Sequence, residues 1–273
     1  MDDNIALYLY TISQANYADN TIDFYKRYLP HFNILSLKRF DLPIYKLKVT
    51  QLLEFKNKCL SGYSPSSQNA FFGMIKGLQI FLIANGEIDY ISVVPLLYNR
   101  LETNYSLAFN PNEFNRIKET ATNRMTWSAF CALVCTGLRI SELQSLSIDN
   151  INFATNKVFV TKSKSKSART IELLHIPILS DFKDYISIIT PLSDDVCPFQ
   201  FAKPAVRYLI DNYNDKFNTK YTTHNTRSTY ATLMYRRNIP LVDIQRYLGH
   251  KNLKTTLKYI DSYERITTWL QMR

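Results

Sequence analysis

Wherever this chain has a clear apolar rhythm, apolar residues recur three or four positions apart, with one exception. The stretch Ile151 to Leu173 alternates as strands do. That contrast restricts the fold to a mainly α chain carrying one small antiparallel β-sheet. With 273 residues, 46% of them hydrophobic, the chain can build two domains or one large one around a proper core.

The first 95 residues hold only the helical period. Residues 5–32 have apolar positions at helical spacing, with Thr21 placed to cap the run Ile22–Leu29 and Pro30 to end it. Lys46 to Leu60 predicts a second helix, after which Gly62 and Pro65 break the chain. Ser66 or Ser67 opens a third over Gln68 to Ala84, whose broad apolar face is Phe71, Phe72, Ile75, Leu78, Phe81 and Leu82; Gly86 stops it. Residues 1–95 are therefore expected to form a helical domain. Between Pro95 and Pro111 the rhythm is lost. Residues 96–106 read as an interdomain linker, or as a surface loop if the chain is a single domain.

Residues 107–273 form the second expected domain. Pro111 starts a helix, and another runs from about Arg124 to Thr136, where Trp127, Phe130, Cys131, Val134, Cys135 and Leu138 give it one core face. Gly137 ends that helix, Arg139 falls in the turn, and Ser141 to Gln144 opens the next helix as a capping box. Such an arginine is suited to bidentate contact with a phosphate, although an ordinary pair with Glu142 would also explain it. Ile151–Phe153, Lys157–Lys164 and Arg169–Leu173 read as a three-stranded antiparallel meander. Lys162, Lys164 and Lys166 would share a face with Val158 and Val160, at a tip that could enter a DNA groove or simply face solvent.

Residues 203–217 are amphipathic. Thr223 then caps a helix whose first turn carries His224 and Arg227, three apart on one face, where free N–H groups favour an anion. Pro240 opens a short helix ended by Gly249, His250 sits in the turn, and helical spacing resumes from Leu253 to Tyr263. Taken alone, Ile239 to Ile260 also fits a helix-turn-helix DNA reader.

Charge narrows the partner. The net charge is +10, and it is uneven: residues 1–105 hold 10 Lys/Arg against 9 Asp/Glu, the remainder 23 against 14. The excess favours a polyanion, and it lies with the candidate residues. The four cysteines show no CxxC pairing, and Cys131 and Cys135 suit a helix core better than a metal site or a disulfide. The N-terminus lacks the basic-then-apolar pattern of a signal peptide, and no apolar run approaches the roughly 20 residues of a membrane span. No membrane role is expected, and the expected location is cytoplasmic.

The motifs TGLRISEL (136–143), HNTRSTYAT (224–232) and LGHKNLKTTLKY (248–259) resemble those of the tyrosine recombinases, the phage integrase and Xer group. The likeness covers nearly the whole chain, with residues 1–95 similar to the core-binding domain and 107–273 to the mixed α/β catalytic domain. The resemblance implies that Arg139 and Arg227 clamp a scissile phosphate, Tyr259 attacks it to leave a 3′-phosphotyrosyl link, His224 acts as base and His250 bonds the phosphate or orients the tyrosine. Lys164 would be the general acid, with Lys162 as the alternative; the strand after it reads Ile171-Glu172-Leu173 where the family often has Val-Pro-Leu. Glu142 would buttress Arg139. Tyr263, four residues on, is a rival nucleophile that the spacing from His250 disfavours. The resemblance implies no cofactor and no metal. It also implies double-stranded DNA as substrate, and a homotetramer on a Holliday junction joined through the C-terminal segment, where Ile266, Trp269 and Leu270 make an apolar face. The alternatives are a type IB topoisomerase, a transposase with the same tyrosine chemistry, or a DNA-binding protein without catalysis.

Overall fold

A computed structural model of the chain describes residues 2–15, 17–100, 107–161, 168–192 and 197–260. The chain divides into two compact units, Met1–Thr103 and Asn104–Arg273.

The first unit is helical: α1 (Asp3–Gln14), α2 (Asp19–Phe40), α3 (Val49–Cys59) and α4 (Pro65–Ala84). Pro30 does not end its helix as expected; α2 runs through it to Phe40 and stops at Asp41, where φ is 55°. A proline inside a helix removes one backbone bond and costs roughly 3 kcal/mol. The residues beyond it offset that cost. Phe32 is buried edge-on against Phe71 with ring centroids 4.7 Å apart, Asn33 accepts the Ile44 N–H at 2.9 Å, and the Ser36 hydroxyl donates to the Leu42 carbonyl at 2.7 Å. The start of α2 differs too, since Ala18 and not Thr21 stands at its N-cap. Pro65, expected as a breaker, instead opens α4, and Ser64 rather than Ser66 or Ser67 caps it by accepting the Ser67 N–H at 3.2 Å.

The second unit contains α5 (Phe114–Glu119), α6 (Arg124–Thr136), α7 (Ile140–Gln144), β1 (Ile151–Asn152), β2 (Lys157–Val160), β3 (Arg169–Glu172), α8 (Leu179–Ile189), α9 (Ala202–Phe217), α10 (Thr223–Arg236) and α11 (Leu241–Leu248), with residues 253–260 again helical. Its centre is α6, which packs against α8, α9 and α10 and is buried at every residue from Thr126 to Thr136. One core face was expected; a helix enclosed on all sides by other helices has no solvent side to leave polar. No expectation covered α8, although Leu179, Phe182 and Ile186 carry its apolar spacing.

The sheet is the expected antiparallel meander in the order β1-β2-β3, with Val158 opposite Ile171 and Val160 opposite Arg169. Val158, Val160 and Ile171 face the core, while Lys157 and Phe159 are exposed. Lys162, Lys164 and Lys166 lie outside the described residues, as do Tyr263, Ile266, Trp269 and Leu270. No helix among the described residues is long and apolar enough to cross a membrane.

Candidate active site

The site begins where α6 ends. Gly137 takes a left-handed φ of 63°, and a Cβ there would come within 2.5 Å of the Tyr230 ring, so glycine alone fits this stop. Two residues later Arg139 is the N-cap of α7. Its backbone N–H donates to Glu142 Oε2 at 2.8 Å and its Nη1 to Glu142 Oε1 at 3.0 Å. The cap thus closes from Glu142 onto Arg139, not from Gln144 onto Ser141 as expected, because the carboxylate meets both a helix N-terminus and a guanidinium there.

Glu142 has a second arginine. Arg169, at the start of β3, donates from Nη1 to Glu142 Oε1 at 3.1 Å and from Nη2 to Oε2 at 2.8 Å, while its Nε bonds the Tyr247 carbonyl at 2.7 Å. Burial would raise the Glu142 carboxyl, but the Arg169 hydrogen bonds, the Arg139 N–H and both positive charges hold it below the usual carboxylate range. In the sequence Arg169 stands out only as the residue that opens a strand. The available signal was its register, since alternation places it inward with Ile171.

The next group comes from α10. Thr222, one residue before the expected cap, donates from its N–H and its hydroxyl to Asn225 Oδ1, at 2.6 and 2.7 Å. This fixes the first turn, which carries His224 and Arg227. Arg227 is only 2% exposed. Its Nη1 donates to the Gly137 carbonyl at 2.7 Å and its Nη2 to the Leu248 carbonyl. Both acceptors lie at helix C-termini, of α6 and α11, where carbonyls lack helical partners and carry negative partial charge. Burial, then the Arg139 charge, lower the Arg227 pKa to about 10, so it stays protonated at neutral pH.

Tyr259, 4% exposed, hydrogen-bonds His224 Nε2 through its hydroxyl at 2.7 Å, within reach of the Arg227 charge. The ring centroids of His224 and His250 lie 5.5 and 5.7 Å from that of Tyr259. Burial raises the Tyr259 pKa, and Arg227 and Arg139 only partly reverse this. Burial and the same two arginines lower His224, leaving it neutral and able to accept a proton. His250 is lowered to about 3, by burial first and then by Arg227, Arg139 and other nearby groups, while its Nδ1 pairs with the buried Thr256 hydroxyl at 2.9 Å.

The structure therefore brings Arg139, His224, Arg227, His250 and Tyr259 together around one buried hydroxyl. Lys164 and its alternative Lys162 fall outside the described residues. No group of three or more His, Cys, Asp or Glu suited to a metal occurs among the described residues. Chemically, the cluster pairs a neutral acceptor with a phenol under two fixed positive charges. Such an arrangement suits attack on an anionic centre.

The chain is similar to several known proteins. The chain is 34% identical to tyrosine recombinase XerA of Pyrococcus furiosus over 135 residues, 45% of this chain and 46% of that one. With tyrosine recombinase XerA of Pyrococcus horikoshii it is 26% identical over 261 residues, spanning 91% of this chain and 84% of the relative. Its fold is similar to that in the crystal structure of a lambda integrase tetramer bound to a Holliday junction, with a TM-score of 0.74 at 18% identity, over 94% of this chain and 76% of that one. Residues 108–265 match the profile of the phage integrase family. The chain belongs to the phage integrase family, the tyrosine recombinases.

Proposed function

We propose that this tyrosine recombinase cuts and rejoins duplex DNA at a specific site, with Tyr259 as nucleophile. One observation carries the assignment: the Tyr259 hydroxyl lies 2.7 Å from a neutral His224 and beside the Arg227 guanidinium. A buried phenol with a raised pKa needs its proton removed as it attacks, and His224 is placed to take it. Arg227 and Arg139 offset the charge that builds on the non-bridging oxygens. His250, kept neutral, offers an N–H to the phosphate from Nε2 when its Nδ1 accepts from Thr256. The Tyr259 oxygen–phosphorus bond forms and the phosphorus–5′ oxygen bond breaks, the leaving oxygen taking a proton from Lys164. Rejoining is the reverse, with the 5′ hydroxyl attacking the phosphotyrosine. The phosphotyrosyl bond keeps the energy of the broken one, so the cycle uses no nucleotide.

A tetramer on a Holliday junction, joined through the C-terminal segment, and a cytoplasmic, DNA-associated location complete the proposal. The basic second half of the chain and the likeness to a junction-bound tetramer support it. The test incubates the protein with a pool of nicked duplexes bearing a randomised central segment and isolates covalent adducts for sequencing. Wild type is expected to form adducts on a narrow set of sequences, and Tyr259→Phe to form none. Adducts that persist in Tyr259→Phe and vanish in Tyr263→Phe would move the nucleophile to Tyr263.

A further inference from the structure

A carboxylate that bonds a phosphate-binding arginine raises a problem. In a one-to-one pair, Glu142 would cancel the charge of Arg139. The geometry around Glu142 avoids this. Arg169 takes both of its oxygens in a two-pronged contact at 3.1 and 2.8 Å, whereas the Arg139 side chain has one bond to it, at 3.0 Å. Two-pronged arginine–carboxylate pairs are the stronger and more directional kind. The pair is also the deeper one. The side chains of Arg169 and Glu142 are 5% and 3% exposed, against 32% for Arg139.

Arg169 is fixed on two further sides. Its Nε is bonded to the Tyr247 carbonyl, and its Cδ, Nε and Cζ lie 3.3 Å from where a Cβ on Gly249 would stand. It therefore sits flush against the turn that presents His250. The three charged groups sum to one positive charge, and its outward-facing member is Arg139.

We infer that Arg169 is a positioning residue that occupies both oxygens of Glu142, so that Glu142 orients Arg139 without cancelling its charge toward the phosphate. This rests on the reading of Arg139 given above. Without the Arg169 charge, Glu142 pairs fully with Arg139 and the anion site weakens. Removing the Glu142 charge as well then relieves the defect, because glutamine can still accept from Arg139 without neutralising it.

Two measurements on the full chain test this with wild type, Arg169→Met, and Arg169→Met combined with Glu142→Gln. The first is the rise in melting temperature caused by inorganic phosphate; the second is the rate of adduct formation on the nicked duplex recovered from the pool. Arg169→Met is expected to lose the phosphate-induced rise. It should also slow adduct formation by about 10- to 100-fold, the worth of one or two charged hydrogen bonds. The added Glu142→Gln should restore part of both. A double variant no better than Arg169→Met in either measurement would overturn the inference and leave Arg169 a structural strut. Should Arg169→Met not fold, Arg169→Gln takes its place with the same outcomes. If wild type forms no adduct, the tyrosine reading fails, and the phosphate measurement alone decides the role of Arg169.

Discussion

Both units bury neutral polar side chains, but among the described residues only the second buries charged ones. In the first, the buried polar side chains among the described residues are Asn33, Ser36, Gln79 and Ser92, all neutral. Gln79 is typical: it donates to the Tyr45 carbonyl and the Ser92 hydroxyl, and accepts from the N–H groups of Ser92 and Val93. The second unit buries Glu142, Arg169 and Arg227. Burying an ion costs several kcal/mol even after relaxation, far more than burying a bonded amide. Two guanidiniums against one carboxylate, with Arg139 half-exposed beside them, leave an excess of positive charge. Buried amides that satisfy one another specify a fold. A buried charge imbalance specifies a ligand, here an anion.

The sharpest way to break this comparison is at Arg227. Arg227→Ala should slow adduct formation by about 10²- to 10³-fold, the usual loss for one fixed donor at a developing charge. It should also cost about 1–3 kcal/mol of stability, because the Gly137 and Leu248 carbonyls lose their partner. Single-turnover cleavage and urea unfolding measure the two effects. A destabilised variant that cleaved at the wild-type rate would reduce Arg227 to a fold element like Gln79.

The counterpart in the first unit is Gln79→Leu. It should destabilise by about 1–3 kcal/mol, through unpaired groups at Tyr45, Ser92 and Val93. Hydrogen exchange should quicken in peptides covering 79–93 and stay unchanged in those covering 224–259. Faster exchange around Tyr259 would show that the polar groups of the first unit also support the site.

The smallest effect is pH dependence. The His224 pKa is lowered, so the histidine is neutral near pH 7 and protonates only as pH falls through its lowered value. Cleavage should therefore hold steady from pH 8 down past the ordinary histidine range, then drop by about tenfold per unit. An inflection at or above pH 6.5 would contradict the geometry. His250, lowered from 6.5 to about 3, stays neutral throughout and adds no inflection to the rate. It does act on stability. The unfolded chain binds its proton below about 6.5 and the folded one does not, so stability should be complete above that pH and decline from there toward pH 3.

Much of the site was legible because its members sit at punctuation marks. Gly137 and Gly249 end helices, Arg139 and His250 follow them within two residues, and His224 and Arg227 share a first turn. Local backbone chemistry sets such positions, and local chemistry can be read along a chain. Arg169 is harder to read: alternation turns it inward with Ile171, but the partners that give a buried arginine its purpose, Glu142 and Tyr247, are 27 and 78 residues away. Pro30 misled for the same reason. Its local rule is to end a helix, and the contacts that overrule it, at Ile44, Leu42 and Phe71, lie elsewhere in the chain.

The sequence by itself determined the helical class, the meander, the order of the site residues and the basic bias of the second half. These depend on periodicity, turn residues and charge, each a property of neighbours along the chain. Only the tertiary structure decided that Glu142 serves two arginines, that Arg227 hangs from two helix ends, and that the hydroxyl of Tyr259 meets His224. Those arrangements depend on contacts between residues 21 to 90 positions apart in the chain. Their energy comes from burial, which exists only once the chain has packed.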